Sequence, residues 1–293
     1  PDLLPENIDY QLRIEDLLGF RRNPVTQTPL FKKFHSKALD GHPTPTTPFV
    51  RLSTGASGVG LSTSLGLALG ARDYFGSNAP MVHIVEGEGG LTPGRVSEAL
   101  ATAGTACLDN AILHIDWNQA SIDSNQVCRT QDQPGDYVQW NPLELCFFHD
   151  WNVIYVPDGT DWEQISSAQH KATALDNGQP TAIVYKTVKG WGYGIEGKAS
   201  HGAGHKLCSS GFFQALKPLV NESKKVMPHC EEEKQCSGPQ GPIVREECFW
   251  QALGVVRNEL AKHTDMLDFF AKQLKSSKQR LTDRPRTARH NAP

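Results

Sequence analysis

Four short apolar runs constrain this chain more than any other feature. They occupy residues 81–85, 111–116, 152–156 and 181–185, each rich in Val, Ile or Leu and of strand length. A continuous apolar run of this kind is what a strand buried on both faces requires. Between the first two lies a helical stretch at 93–105, with Pro93 suited to its first turn. Between the last two, Asp158-Gly159-Thr160 is placed to cap a helix over 161–175. Strands alternating with helices predict an α/β fold: a parallel sheet with right-handed crossovers.

The flanking text is less regular. A short helical pattern covers 10–20, and a proline-bearing basic stretch follows it to Phe34. The run from Asp40 to Pro48 carries three prolines and excludes regular helix. Residues 54–75 read as a helix rich in Gly, Ala, Ser and Leu, opened by Gly55, Gly58 and Gly60. Its small side chains predict close, central burial. A polar loop is expected over 118–136 and a glycine-rich loop over 189–205. The domain reading is an α/β domain at 1–220, a linker or surface excursion at 221–245, a helical extension at 246–275 and a basic, disordered tail at 276–293.

Composition narrows the class. The 293 residues carry a net charge of −3 and are 38% hydrophobic, with a mean hydropathy of −0.43. That balance gives no general case for nucleic acid. No run of about 18 apolar residues is present to span a bilayer, and no signal-peptide pattern opens the chain. Seven scattered cysteines without a Cys-x-x-Cys pair favour reduced thiols and a cytoplasmic protein.

Chemistry concentrates at two strand ends. Gly87-Glu88-Gly89-Gly90 follows the first strand, and Asp116-Trp117-Asn118-Gln119-Ala120 closes the second. A carboxylate and a carboxamide thus meet at the carboxyl edge of a parallel sheet, where such sheets bind ligands. Two hard oxygen donors suit Mg²⁺, which commonly bridges protein oxygens to a diphosphate. A solvated loop carboxylate is the bland reading of Glu88; the flanking glycines and the neighbouring Asn118 count against it. Gly55-Ala56-Ser57-Gly58-Val59-Gly60-Leu61-Ser62 nearly fits a phosphate loop, but Leu61 replaces the lysine that would meet the phosphates. His201 and His205 stand four apart without a convincing third zinc ligand. His42, between glycine and proline, reads on its own as a turn residue.

Taken in order, these segments resemble the amino-terminal, diphosphate-binding part of the transketolase family. The matching stretches are Phe34-His35-Ser36-Lys37 with Gly41-His42-Pro43, Thr54-Gly55 with Gly58 to Gly60, Gly87-Glu88-Gly89, Gly94 with Glu98-Ala99, Asp116 to Asn118 with Ser121-Ile122-Asp123, and Ser200-His201-Gly202-Ala203. They are collinear, and the helices from Glu246 resemble the segment leading out of this domain. The resemblance implies a thiamine-diphosphate-binding fold with helices on both faces and a carboxyl-terminal helical extension. It implies thiamine diphosphate held through Mg²⁺ (or Ca²⁺ or Mn²⁺) by Glu88, Asn118 and the carbonyl of Ala120. Gly89 would lie against the diphosphate, and Gly55, Ala56 and Ser57 along the aminopyrimidine. His201 would stand near the diphosphate and the reacting centre, and His42 would hydrogen-bond the ketose donor. The implied chemistry is two-carbon ketol transfer between sugar phosphates.

Two positions depart from the family. Glu88 replaces an aspartate and is one methylene longer, and Pro93 replaces a glutamate that helps couple the two sites of the dimer. Leu91-Thr92-Pro93-Gly94 is closer to the deoxyxylulose-phosphate synthase relatives, so that chemistry stays open, as does a non-catalytic binding or regulatory role. In the family the cofactor lies between this domain and a pyrimidine-binding domain of another protomer. The implied partner is therefore a pyrimidine-binding domain or subunit, in a homodimer or heterotetramer.

Overall fold

The computed structural model describes residues 12–22, 25–45, 52–193, 195–197, 209–224 and 238–285. In chain order the helices are α1 (Pro29–Lys33), α2 (Val59–Phe75), α3 (Gly94–Thr105), α4 (Pro142–Phe148), α5 (Trp162–Ala174), α6 (Ser210–Ala215), α7 (Lys217–Ser223), α8 (Gly241–Leu260) and α9 (Thr264–Thr282). The strands are β1 (Val82–Gly87), β2 (Ala111–Trp117), β3 (Asn152–Val156) and β4 (Thr181–Lys186). Chain contacts resolve into two compact units, residues 1–53 with 204–280, and residues 54–203 with 281–293. The stretch expected as one domain over 1–220 therefore contributes to both.

The second unit holds the sheet. Its order is β1-β2-β4-β3, and every pair is parallel. The apolar runs divide by parity, as a pleated strand requires. Ile84, Leu113, Ile115, Ala182 and Val184 face one core with Leu61, Leu65 and Ala68 of α2, Val96 and Leu100 of α3, and Leu145 and Cys146 of α4. Ile112, Val156 and Ile183 face a smaller core with Ala168 and Ala172 of α5. Helices thus pack on both faces.

Several local expectations shift. The helix expected over 54–75 begins at Val59, and residues 55–58 form the turn ahead of it. Its expected central burial holds for one stripe only: Leu61, Leu65 and Ala68 are buried, whereas Leu67 and Leu69 are exposed. A Cβ built at Gly66 or Gly70 meets nothing within 4 Å, so these two glycines are not required by close packing. Pro93 stands at the N-cap of α3 rather than in its first turn. The cap of α5 is Asp161, which accepts from the N–H groups of Glu163 and Gln164, while Asp158 turns to Thr160. The pattern at 10–20 gives a 3₁₀ turn at Ile14–Gly19; residues 10 and 11 lie outside the described residues.

Helix α4 was not foreseen. Asn141-Pro142-Leu143-Glu144 is a capping box with proline at the first helical position. In the other unit, α7 ends at Ser223 inside the expected linker, α8 starts five residues before Glu246, and α9 runs on to Thr282. Residues 276–282, expected in a disordered tail, are therefore helical; residues 286–293 lie outside the described residues. Among the described residues no helix is long and apolar enough to cross a membrane.

Candidate functional site

The site is built where β1 and β2 end. Register pairs Gly87 with Asp116, so the residues that follow them, Glu88 and Trp117 to Asn118, leave the sheet side by side. After Gly87 the chain turns into a short 3₁₀ helix, Glu88–Leu91, closed by the Thr92 hydroxyl donating to the Gly89 carbonyl at 2.9 Å. That turn carries the Glu88 side chain inward to 1% exposure. Its Oε2 accepts from the Asn118 N–H at 3.2 Å. Its Oε1 is buried without a hydrogen-bond partner, a costly state for a carboxylate oxygen.

Burial pushes the Glu88 carboxyl up to about 7, and the nearby Asp116 charge adds to the shift, while the N–H groups of Asn118 and Gln119 oppose it. The carboxyl thus sits poised between neutral and charged near neutral pH. A cation would settle it as the anion and satisfy the orphan oxygen.

Asn118 is held from both sides. Its Nδ2 donates to Asp116 Oδ2 at 3.1 Å, and its Oδ1 accepts from the Ala120 N–H at 2.9 Å. The oxygen keeps a second lone pair. Asp116 also accepts from the Thr187 hydroxyl on β4's outgoing loop, so three segments fix the carboxamide. Gln119 adopts a positive φ of 64°. Its buried side chain bonds both the N–H and the carbonyl of Cys128, each at 2.9 Å, folding the loop back on the strand end.

The turn before α2 reaches the same edge. Gly58 has φ +78°, and a Cβ there would stand 2.5 Å from Val96 Cγ2 and 3.2 Å from the Gly90 carbonyl. Gly55, Ala56 and Ser57 are exposed just ahead of it. A Cβ at Gly89 meets nothing within 4 Å, so open space lies over that position. Glu88, Gly89, Asn118, Ala120 and the Gly55–Ser57 turn are thereby brought to one edge of one unit. His42 belongs to the other unit, exposed, with its N–H on Asp40 Oδ1 at 3.2 Å. His201 lies outside the described residues, as does His205.

Lys186 completes the surroundings and was missed. Its ammonium lies 4.5 Å from the Trp117 ring centroid. Burial lowers its pKa, while the charges of Glu88, Cys128 and Asp116 hold it up. A signal existed: Lys186 shares the core-facing parity of Ala182 and Val184, an unusual place for an unpaired cation. Burial also pushes the Cys128 thiol up to about 12, which leaves it protonated and inert as a nucleophile. Among the described residues no three His, Cys, Asp or Glu cluster as a metal site. A cation here would draw on one carboxylate, one carboxamide and backbone oxygen, a hard-oxygen set fit for Mg²⁺.

A family profile described as the transketolase, thiamine diphosphate binding domain matches residues 8–209. Human transketolase is 32% identical over 195 residues, covering 66% of this chain and 29% of that protein. Mouse transketolase-like protein 2 is 35% identical over 161 residues, covering 55% and 24% respectively. The chain thus spans under a third of the length of these relatives. Among solved structures, transketolase from Leishmania mexicana superposes with a TM-score of 0.57 at 23% identity over 87% of this chain and 36% of that one. Transketolase from Campylobacter jejuni gives 0.55 at 25% identity, over 88% and 36%.

Proposed function

Because the chain belongs to the transketolase thiamine diphosphate-binding domain family, we propose that it is the diphosphate-binding part of a transketolase-like enzyme moving a two-carbon ketol unit between sugar phosphates. The observation that carries this reading is the buried, half-satisfied carboxylate of Glu88 beside Asn118. Glu88, the Asn118 oxygen and the Ala120 carbonyl would hold Mg²⁺. Gly89 leaves room for the diphosphate, and Gly55, Ala56 and Ser57 would line the aminopyrimidine. When bound, thiamine diphosphate supplies the electron sink for the ketol carbon.

The chain's own groups supply position and charge. Asp116 holds the Asn118 amide nitrogen, which leaves the carboxamide oxygen on the side of the Ala120 N–H. Lys186 adds a positive charge beside a site meant for a polyanion, in a setting where burial strengthens the attraction. His42 and His201 are the proton carriers of the proposal, imidazole being the side-chain type most often used for general acid–base work. A pyrimidine-binding domain or subunit would complete the cofactor site, in a homodimer or heterotetramer, and sugar phosphates would be the substrates.

The test is calorimetric. Thiamine diphosphate with Mg²⁺ is titrated into the chain assembled with a transketolase-type pyrimidine domain, and xylulose 5-phosphate to ribose 5-phosphate transfer is assayed. Asn118→Ala should weaken cofactor binding by at least about tenfold, the scale of losing one ligand group. Unchanged affinity would rule the metal site out. Wild-type cofactor binding without any ketol transfer would instead favour the non-catalytic reading, which the glutamate at position 88 and Pro93 at the α3 cap support.

A further inference from the structure

Strand order leaves β3 at one edge of the sheet, paired with β4 alone among the described residues. The Asn152 N–H donates to the Pro180 carbonyl at 2.9 Å, so Asn152, Ile154 and Val156 turn their backbone groups to β4. In a parallel ladder the residues between them face the other way. The N–H and carbonyl groups of Val153 and Tyr155 therefore point out of the edge, and among the described residues none of them is hydrogen-bonded. Native edges are usually blunted by a charge, a proline or a bulge. Asn152-Val153-Ile154-Tyr155-Val156 has no charge and no proline, and its register with β4 is unbroken.

Apolar surface lies beside this edge. Phe147 and Phe148, at the end of α4, are 76% and 80% exposed. With Val153, Glu144, Asp150 and Gln179 they bound a hollow of about 730 Å³. Val153 packs against the same core as α4, and the Tyr155 ring lies 6.3 Å from that of Trp117 in that core. Both outward residues thus carry their side chains on the α4 face. Exposed carboxylates bracket the strand: Asp150 stands two residues before it and Asp158 two residues after it. Glu144 is already answered by Arg129.

We propose that the outer edge of β3 docks an extended segment of a partner protein, apolar along one face and basic at each end, which adds to the sheet as a fifth strand. Main-chain bonds to Val153 and Tyr155 hold the added strand, and its alternate side chains give specificity. Its apolar face lies over Phe147, Phe148 and Val153, and its basic ends lie against Asp150 and Asp158. Charge decides against a second copy of this chain as the occupant. The antiparallel self-pairing that satisfies both Val153 and Tyr155 is centred on Ile154, and it sets Asp150 of each copy towards Asp158 of the other. Like charges across a strand pair are destabilising. A basic partner turns the same two carboxylates into attractions. Nothing in this proposal depends on the thiamine diphosphate reading.

The experiment adds a capped peptide, Lys-Val-Thr-Val-Thr-Val-Thr-Val-Lys, to the intact chain and follows amide hydrogen exchange residue by residue. Its lysines stand as far apart in sequence as Asp150 and Asp158. Expected are slower exchange at Val153 and Tyr155, by about tenfold or more at saturation, and weaker binding to Phe147→Ser. Asp150→Asn and Asp158→Asn should each weaken binding by up to about fivefold, and the same peptide with glutamate at both ends should not bind. Unchanged exchange at the two amides, equal binding of the glutamate peptide, or unchanged affinity in all three variants overturns the proposal. So does a dimer of the chain alone that protects the same two amides, because it gives the edge to a second copy. The wild-type exchange decides the matter even if a variant fails to fold.

Discussion

Glu88 concentrates the physics of the site in one side chain. In the folded chain its carboxyl titrates near 7, against an ordinary value near 4.5, because burial disfavours the anion. The folded state therefore holds its proton more tightly than the unfolded state does. The resulting stabilisation is complete below about pH 4.5 and is lost as pH rises through 7. For the cofactor-free chain this predicts a fall in unfolding free energy between pH 5 and 8, by at most about 3 kcal/mol from this group. Denaturant titrations across that range should show the slope, and Glu88→Gln should flatten it. Mg²⁺ with thiamine diphosphate should reverse it in the wild type, since a bound cation favours the charged form. A slope unchanged by Glu88→Gln would mean that the carboxyl is not buried as described.

At the scale of elements, the site depends on how closely the start of α2 meets the turn after β1. Gly58 makes that contact possible. It combines φ +78° with a Cβ position 2.5 Å from Val96 Cγ2, so an alanine there incurs both backbone strain and overlap with a fully buried side chain. Gly58→Ala is predicted to destabilise the fold by about 2–4 kcal/mol, read as a lower urea midpoint with an unchanged m-value. Gly66→Ala serves as the control, because its Cβ meets nothing and alanine is the better helix former; it should be neutral or stabilising. Helix α4 teaches a related lesson. Its four-residue capping signature sits directly in the sequence, yet the helix is only seven residues long, too short for hydrophobic periodicity to reveal.

At the scale of the whole molecule, the chain joins distant segments within each unit. In the unit that contains residues 1–53, the buried Glu246 of α8 accepts from the N–H groups of Leu30 at 3.0 Å and Phe31 at 3.3 Å. It thus caps α1, whose own N-cap Thr28 makes no side-chain bond. Phe34 packs on Trp250 at 4.7 Å between centroids. Glu246→Ala should free the segment around residues 25–45, costing about 2–3 kcal/mol for two charge-assisted bonds. Limited proteolysis should then cut that segment first. Cleavage of residues 54–203 at an equal rate would contradict the division into units.

The sequence by itself determined the parallel α/β class, the four strands to within one or two residues at each end, and the pairing of Glu88 with Asn118 at the sheet edge. These are local or periodic properties: strand parity, apolar run length and the residue that follows a strand are written in consecutive positions. Collinear motifs then sufficed to identify the family. Tertiary structure alone decided the strand order β1-β2-β4-β3, the one-sided burial of α2 and the division into two units. It also decided which groups surround Glu88. Lys186, Asp116 and Gln119 reach it from separate segments. Such contacts depend on register and on which face each helix covers, long-range choices that no window of sequence contains. The orphan oxygen of Glu88 shows the boundary most clearly: its residue type was legible, but its burial, its pKa and its missing partner belong to the fold.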